Sequence, residues 1–180
     1  MNRTFRNSLR LFVFLVFPAC FYACKEKPKR EIPDADEIRE RMTNAHRIMV
    51  QHESEQISEF SKRHQFKMNE TGTGLRYQIY REGNGTLPAQ HDEVTLAYRM
   101  YNLDDTLLYQ ADSLHPVRFR LGEGKNIAGL EEGIMMLNSG ARARLLVPSH
   151  LGYGTQGNED KIPGATPLYF DIQILKYHHE

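Results

Sequence analysis

Apolar and polar residues alternate along this chain with more than one rhythm, and each rhythm predicts a different element. From Asp34 to about Phe66 there is no Gly or Pro, and Ile38, Met42, Ala45 and Met49 recur at spacings of four, three and four, with Ile57 and Phe60 following. That is the stripe of an amphipathic helix. Asp34, Asp36 and Glu37 crowd its start, where negative charge suits the helix dipole. The stripe weakens between His52 and Gln56, so the segment reads as one helix or as two. A solvated spacer and a packing or dimerising helix over residues 34–66 both fit it.

After Gly72 and Gly74 the period falls to two. Leu75, Tyr77 and Ile79 alternate with polar neighbours, then Gly83-Asn84-Gly85 and Pro88 mark a turn. Val94, Leu96, Tyr98 and Met100 predict a second strand, Asp104-Asp105 a turn, and Thr106 to Tyr109 the return. Further strands are predicted at Val117 to Leu121, Ala143 to Val147, and Leu168 to Ile174. One short helix interrupts them: Ile127, Leu130, Ile134 and Leu137 fall on one face of about three turns, with Gly140 as its stop. Antiparallel strands covered by one helix make an α+β domain.

The front of the chain follows neither rhythm. Arg3, Arg6 and Arg10 precede the apolar run Leu11 to Phe17, which is the build of an export signal over residues 1–23. The run is shorter than the roughly 20 residues that span a bilayer, so export is favoured over an uncleaved anchor. Both cysteines, Cys20 and Cys24, close this segment, which leaves none for disulfides in the body. Cys24, preceded by Ala23 and followed by the polar Lys25-Glu26-Lys27, resembles the acylated cysteine of a bacterial lipoprotein; Cys20 is the fallback. Acyl chains there would tie the protein to a membrane. Lys25 after the cysteine points to the outer membrane. Residues 24–33, charged and punctuated by Pro28 and Pro33, read as a tether.

Charge and spacing narrow the chemistry. Beyond residue 23 the chain holds 20 of its 23 basic residues against all 23 acidic ones, a net of −3, which disfavours a nucleic-acid partner. None of the eight histidines pairs at i, i+4, and no metal is expected. Gly122-Glu123-Gly124 lacks the third glycine and the frame of a dinucleotide site, so no cofactor is expected. Ser149 lacks the glycine flanks of a nucleophile elbow.

The order of motifs from Gly74 to Tyr177 resembles the FK506-binding (FKBP) family of peptidyl-prolyl cis/trans isomerases. The pieces are Thr73-Gly74-Leu75-Arg76-Tyr77, Asp92-Glu93-Val94 with Tyr98, Phe119-Arg120-Leu121-Gly122, Ile127-Ala128-Gly129-Leu130-Glu131-Glu132-Gly133, Gly140-Ala141-Arg142-Ala143, Val147-Pro148, Leu151-Gly152-Tyr153-Gly154, Ile162-Pro163 and Phe170-Asp171-Ile172. Each is weak alone; their order and spacing are not. The resemblance implies a five-stranded antiparallel half-barrel sheet around one short helix, over residues 71–180, with residues 34–70 as a helical spacer. It also implies an apolar pocket that takes a proline of an extended peptide. Tyr98, Ile127, Tyr153 and Phe170 would be its catalytic residues, with the Ile127 N–H on the substrate carbonyl. Leu108, Tyr109, Val117, Leu130 and Ile162 would complete the walls and floor. As plain core or loop residues, Ile127, Leu130, Tyr153 and Phe170 would look the same in the sequence.

Departures from the family pattern bear on activity. Leu108-Tyr109 stands where most active members carry Phe-Asp, so the acidic pocket residue is missing. Asp105, Val117 and Asn158 replace a glycine, an aromatic and a histidine. The resemblance therefore implies an envelope prolyl isomerase acting on exported polypeptides, or a non-catalytic proline-binding chaperone. Lipid-anchored relatives, including a gliding-motility-associated branch, share the plan of signal, helical spacer and isomerase domain.

Overall fold

The computed structural model describes residues 34–178; the export signal, the tether, Cys20 and Cys24 lie outside them. The chain divides at Arg41 into two units. In the first, residues 34–41 are all exposed, and Arg41 pairs with Glu37 at 2.6 Å.

The helix rhythm becomes one helix, not two: α1 is Ala35–Arg63, and its residues from Met42 on belong to the second unit. Its Met42 and Ile48 are exposed, and burial begins at Glu53. The stripe weakens there because Glu53, in line with Met49 and Ile57, puts a carboxylate on the buried face. Ile57 and Phe60 are sealed against Leu146, with Phe66, Met68, Leu103 and Tyr169 around them. Burying two such side chains contributes about 1.5–3 kcal/mol each. Past Arg63 the chain turns through Gln65, at φ 58°, and Phe66 N–H closes on the Ser61 carbonyl at 2.9 Å.

Seven strands follow, all antiparallel: β1 Asn69–Glu70, β2 Arg76–Arg81, β3 Glu93–Asn102, β4 Leu107–Ala111, β5 Val117–Arg120, β6 Arg142–Val147 and β7 Leu168–His178. The order is β1-β2-β6-β7-β3-β4, and β5 also pairs with β3. The expected five strands are thus corrected to seven. The reason is local: β4 lies along residues 98–101 of β3 and β5 along 93–96, two short strands sharing one edge. Between them Asp112 Oδ1 accepts from the Leu114 and His115 N–H groups at 2.9 and 2.7 Å, and this turn before Pro116 breaks the ladder. The two-residue β1 adds the seventh.

The period-two residues line one face of this sheet. Register aligns Met100 with Phe170 and Phe170 with Leu145, then Tyr98 with Ile172 and Ile172 with Ala143. Helix α2, Ala128–Ile134, covers that face with Leu130 and Ile134. It comes close because it turns two glycines toward the sheet: a Cβ at Gly129 would overlap Val147, and one at Gly133 would overlap Leu145. The helix is shorter than the three turns expected. Ile127 precedes it in extended backbone, and beyond Ile134 the Met136 and Leu137 N–H groups make tighter i→i−3 bonds at 3.2 and 3.0 Å.

Candidate functional site

The core is edged by six partly buried residues, which form a rim drawn from five separate elements. Tyr98 comes from β3, Leu108 and Tyr109 from β4, Val117 from the start of β5, Ile127 from the residue ahead of α2, and Tyr153 from the loop after β6. All six are partly buried and pack on the core that contains Leu130, Ile162 and Phe170. Tyr98 and Phe170 are neighbours, ring centroids 6.2 Å apart. Val117 pairs with Leu96, two residues from Tyr98. The nine residues singled out in the sequence therefore belong to one contiguous cluster. They are not equivalent. Ile162 and Phe170 are each 1% exposed, so they shape the floor from beneath, while Leu130 at 6% and the rim residues keep accessible surface.

Three hydrogen-bond donors carried by these residues have no partner among the described residues. Ile127 is one: its carbonyl accepts from Leu130 and Glu131 N–H at 3.1 and 3.3 Å, but its own N–H is given to nothing. The hydroxyls of Tyr98 and Tyr153 are the others. Burial holds the Tyr153 phenol above its ordinary pKa. Burial, then the proximity of Tyr153, does the same for Tyr98. Both remain neutral donors at physiological pH. An apolar floor ringed by unspent donors can take up a small apolar ring and a carbonyl oxygen together.

The Tyr153 loop is tied down through one carbonyl. Ser149 O accepts from Gly152 and Gly154 N–H at 2.9 and 2.8 Å, the two residues that flank Tyr153. Gly154 stands at φ 64°, a conformation that favours glycine. Ala165 N–H then reaches the Gly154 carbonyl at 2.8 Å.

Tyr109 has a partner that sequence reasoning missed. Its hydroxyl donates to Asp160 Oδ2 at 2.8 Å and accepts from Asn158 Nδ2 at 2.9 Å. That bond, with burial second, raises the Tyr109 pKa. Asn158 Oδ1 meanwhile collects the N–H groups of Asp160, Lys161 and Ile162. Lys161 lies 5.0 Å over the Tyr109 ring and donates to the Leu108 carbonyl. A carboxylate thus does stand beside β4 at the rim, delivered from a distant loop. Nothing in the spacing of residues 109 and 160 announced it.

A groove of about 470 Å³ is lined by Tyr80, Arg99, Gln110, Arg142, Asp171 and Gln173, with Tyr98 also on its wall. It is polar, with Tyr80 donating to Asp171 at 2.7 Å and Arg142 to Gln173 at 2.9 Å, and offers an apolar ring little.

Known proteins are similar to this chain in sequence and in fold. The sequence model of FKBP-type peptidyl-prolyl cis-trans isomerases matches residues 85–175. The chain is 36% identical over 107 residues to a probable FKBP-type peptidyl-prolyl cis-trans isomerase, FkpA, of Neisseria meningitidis serogroup B, covering 59% of this chain and 39% of that protein. It is 34% identical over 114 residues to peptidyl-prolyl cis-trans isomerase FKBP9 of Rattus norvegicus, covering 63% of this chain and 16% of that one. Among solved structures, a peptidyl-prolyl cis-trans isomerase of Pseudomonas syringae pv. tomato superposes with a TM-score of 0.63 at 25% identity, over 74% of this chain and 96% of that chain.

Proposed function

Because the chain belongs to the FKBP-type peptidyl-prolyl cis-trans isomerase family, we propose that its C-terminal domain speeds rotation about X-Pro bonds in polypeptides exported to the cell envelope. The observation that carries this reading is the contiguous apolar cluster with three unspent donors among its partly buried edge residues: Ile127 N–H and the Tyr98 and Tyr153 hydroxyls.

The reaction needs no nucleophile and no proton transfer. Amide resonance sets a rotation barrier of about 18–20 kcal/mol, and twisting removes both the resonance and its charge separation. An apolar surface formed by Leu130 and the rim favours the less dipolar, twisted amide over the planar one. A prolyl ring resting there leaves the preceding carbonyl free to swing toward a fixed donor. A hydrogen bond made better by the twisted state than by the planar one lowers the barrier, and each 1.36 kcal/mol is about a factor of ten in rate.

Attachment to the membrane through an acylated Cys24, with Cys20 as the alternative, completes the proposal, and resembles the gliding-motility-associated lipoproteins of the family. Fatty-acid labelling that survives Cys20→Ser and disappears with Cys24→Ser supports that site. A homodimer through residues 34–66 is a further part of the reading, supported by the exposed Ile38, Met42 and Ile48; sedimentation at a single monomer mass rejects it.

A second reading, a proline-binding chaperone without catalysis, is favoured by one observation: position 109 holds Tyr where the family pattern has an acid. A protease-free isomerisation assay on an X-Pro peptide separates the two. Exchange faster than the spontaneous rate supports the isomerase; the spontaneous rate, with the protein folded by circular dichroism, rejects it.

A further inference from the structure

Glu53 lies well ahead of the family match, yet it is only 4% exposed. Taking a carboxylate out of water costs several kcal/mol unless its oxygens are satisfied. Among the described residues no Lys, Arg or His pairs with it. Instead both oxygens go to one residue: Oε2 accepts from the Ser149 N–H at 2.9 Å, and Oε1 from the Ser149 hydroxyl at 2.6 Å. Ser149 is 1% exposed. Its carbonyl is the same one that holds Gly152 and Gly154 on either side of Tyr153. One residue thus joins a helix outside the matched region to the tyrosine loop at the rim.

The helix is held in the rotation this requires. Arg76 of β2 donates from Nη1 to Ser58 Oγ at 2.8 Å, from Nη2 to Ser54 Oγ at 2.9 Å, and from Nε to Glu70 Oε2 at 3.0 Å. Ile57 and Phe60 pack on Leu146, in the strand that runs on through Val147 and Pro148 into Ser149. An apolar residue at position 53 would have served docking alone. A carboxylate there gains something only by fixing Ser149.

We propose that Glu53 is a positioning residue for the isomerase site: by clamping Ser149 it sets the height and direction of Tyr153, so that α1 is a working part of the site and not only a spacer. This rests on the role given to Tyr153 above. A buried, charge-assisted pair of bonds is well suited to the task, because losing it leaves Ser149 unsatisfied and the loop without its inner anchor.

The test compares Glu53→Gln, Glu53→Leu and Ser149→Ala in the full chain. Gln can still accept from the Ser149 N–H and donate to its hydroxyl; Leu keeps the packing and loses both bonds. Two readouts are taken: kcat and KM for an X-Pro peptide, and amide hydrogen exchange of Gly152 and Gly154 against Leu145 and Ile172 in the central strands. Glu53→Leu is expected to lower kcat about tenfold with KM changed by less than about threefold, as a displaced transition-state contact should. It should also speed exchange at Gly152 and Gly154 about tenfold while Leu145 and Ile172 hold. Glu53→Gln should restore most of both, and Ser149→Ala should fall between. Unchanged exchange at the two glycines, or equal acceleration at all four amides, overturns the proposal. A wild-type chain with no isomerase activity would instead sink the isomerase reading, while the exchange data still judge the clamp.

Discussion

The Tyr109 hydroxyl donates to the Asp160 carboxylate at 2.8 Å, across 51 positions of sequence. An acid that the family pattern carries within β4 is here brought to the same rim from the loop that also holds Ile162. Restoring the family residue should therefore backfire. Tyr109→Asp is expected to lower kcat/KM further than Tyr109→Phe, because it sets a second carboxylate beside Asp160. Adding Asp160→Asn to Tyr109→Asp should recover the loss. Tyr109→Phe alone should cost about threefold or less, since water can replace an exposed bond. Steady-state kinetics on the three variants and the parent protein checks the ordering.

The Ile127 N–H can be removed without moving the chain. Ile127 stands at φ −68° and ψ 141°, values that proline adopts. Ile127→Ala keeps the donor and trims the wall; Ile127→Pro deletes the donor. If that N–H serves the twisted amide, the proline variant should show kcat/KM about tenfold below the alanine variant, the value of a transition-state donor of 1–2 kcal/mol. Equal rates in two folded variants would remove Ile127 N–H from the mechanism.

Helix α2 should resist even a methyl group. In an exposed helix Gly→Ala stabilises by about 1 kcal/mol. At Gly133 the new Cβ would meet Leu145, and at Gly129 Val147, in a close-packed interior. Both substitutions are expected to destabilise instead, by about 1–3 kcal/mol. Urea unfolding gives the sign directly, and a stabilised Gly133→Ala would mean that the helix sits farther from the sheet.

Alkaline pH should weaken the fold through two tyrosines on the outer face. Burial first, then its bond to Asp171, pushes Tyr80 up to about 12, and burial, then Asp171, does the same for Tyr169. In the unfolded chain both titrate near 10. Between these values the folded protein keeps protons that the unfolded chain has lost, so stability is intact below about pH 10 and falls as pH rises toward about 12. Melting temperature followed from pH 8 upward should show this, and Tyr80→Phe should soften the fall. Isomerisation, which uses neutral Tyr98 and Tyr153, should be flat from about pH 6 to about pH 9.

Periodicity carried far in this chain where one face of an element is buried and the other wet. Val94 to Met100 and Leu168 to Ile174 announced their strands because each alternates cleanly, and Ile127, Leu130, Ile134 and Leu137 on one face announced α2. It faltered where polar groups do structural work. Glu53 sits on the buried face of α1 and breaks the apolar stripe, so the point where the helix grips the domain looked like a gap between two helices. The pattern itself separated Thr106 to Tyr109 from Val117 to Leu121, the two strands that share an edge of β3; the count of five came from the resemblance. Partnerships such as Tyr109 with Asp160, or Glu53 with Ser149, depend on loops meeting in space, which no spacing rule encodes. The nine pocket residues were named by resemblance; that two of them are sealed beneath the floor needed the packed structure.

The most direct measurement is the set of intermolecular nuclear Overhauser effects between a short X-Pro peptide and the folded protein. Cross-peaks from the prolyl ring protons to the Leu130 methyls and the Tyr153 ring, accompanied by faster cis/trans exchange of the peptide, are the expected result. Cross-peaks confined to the polar groove at Tyr80 and Arg142, or none at peptide concentrations that saturate binding, would contradict the account.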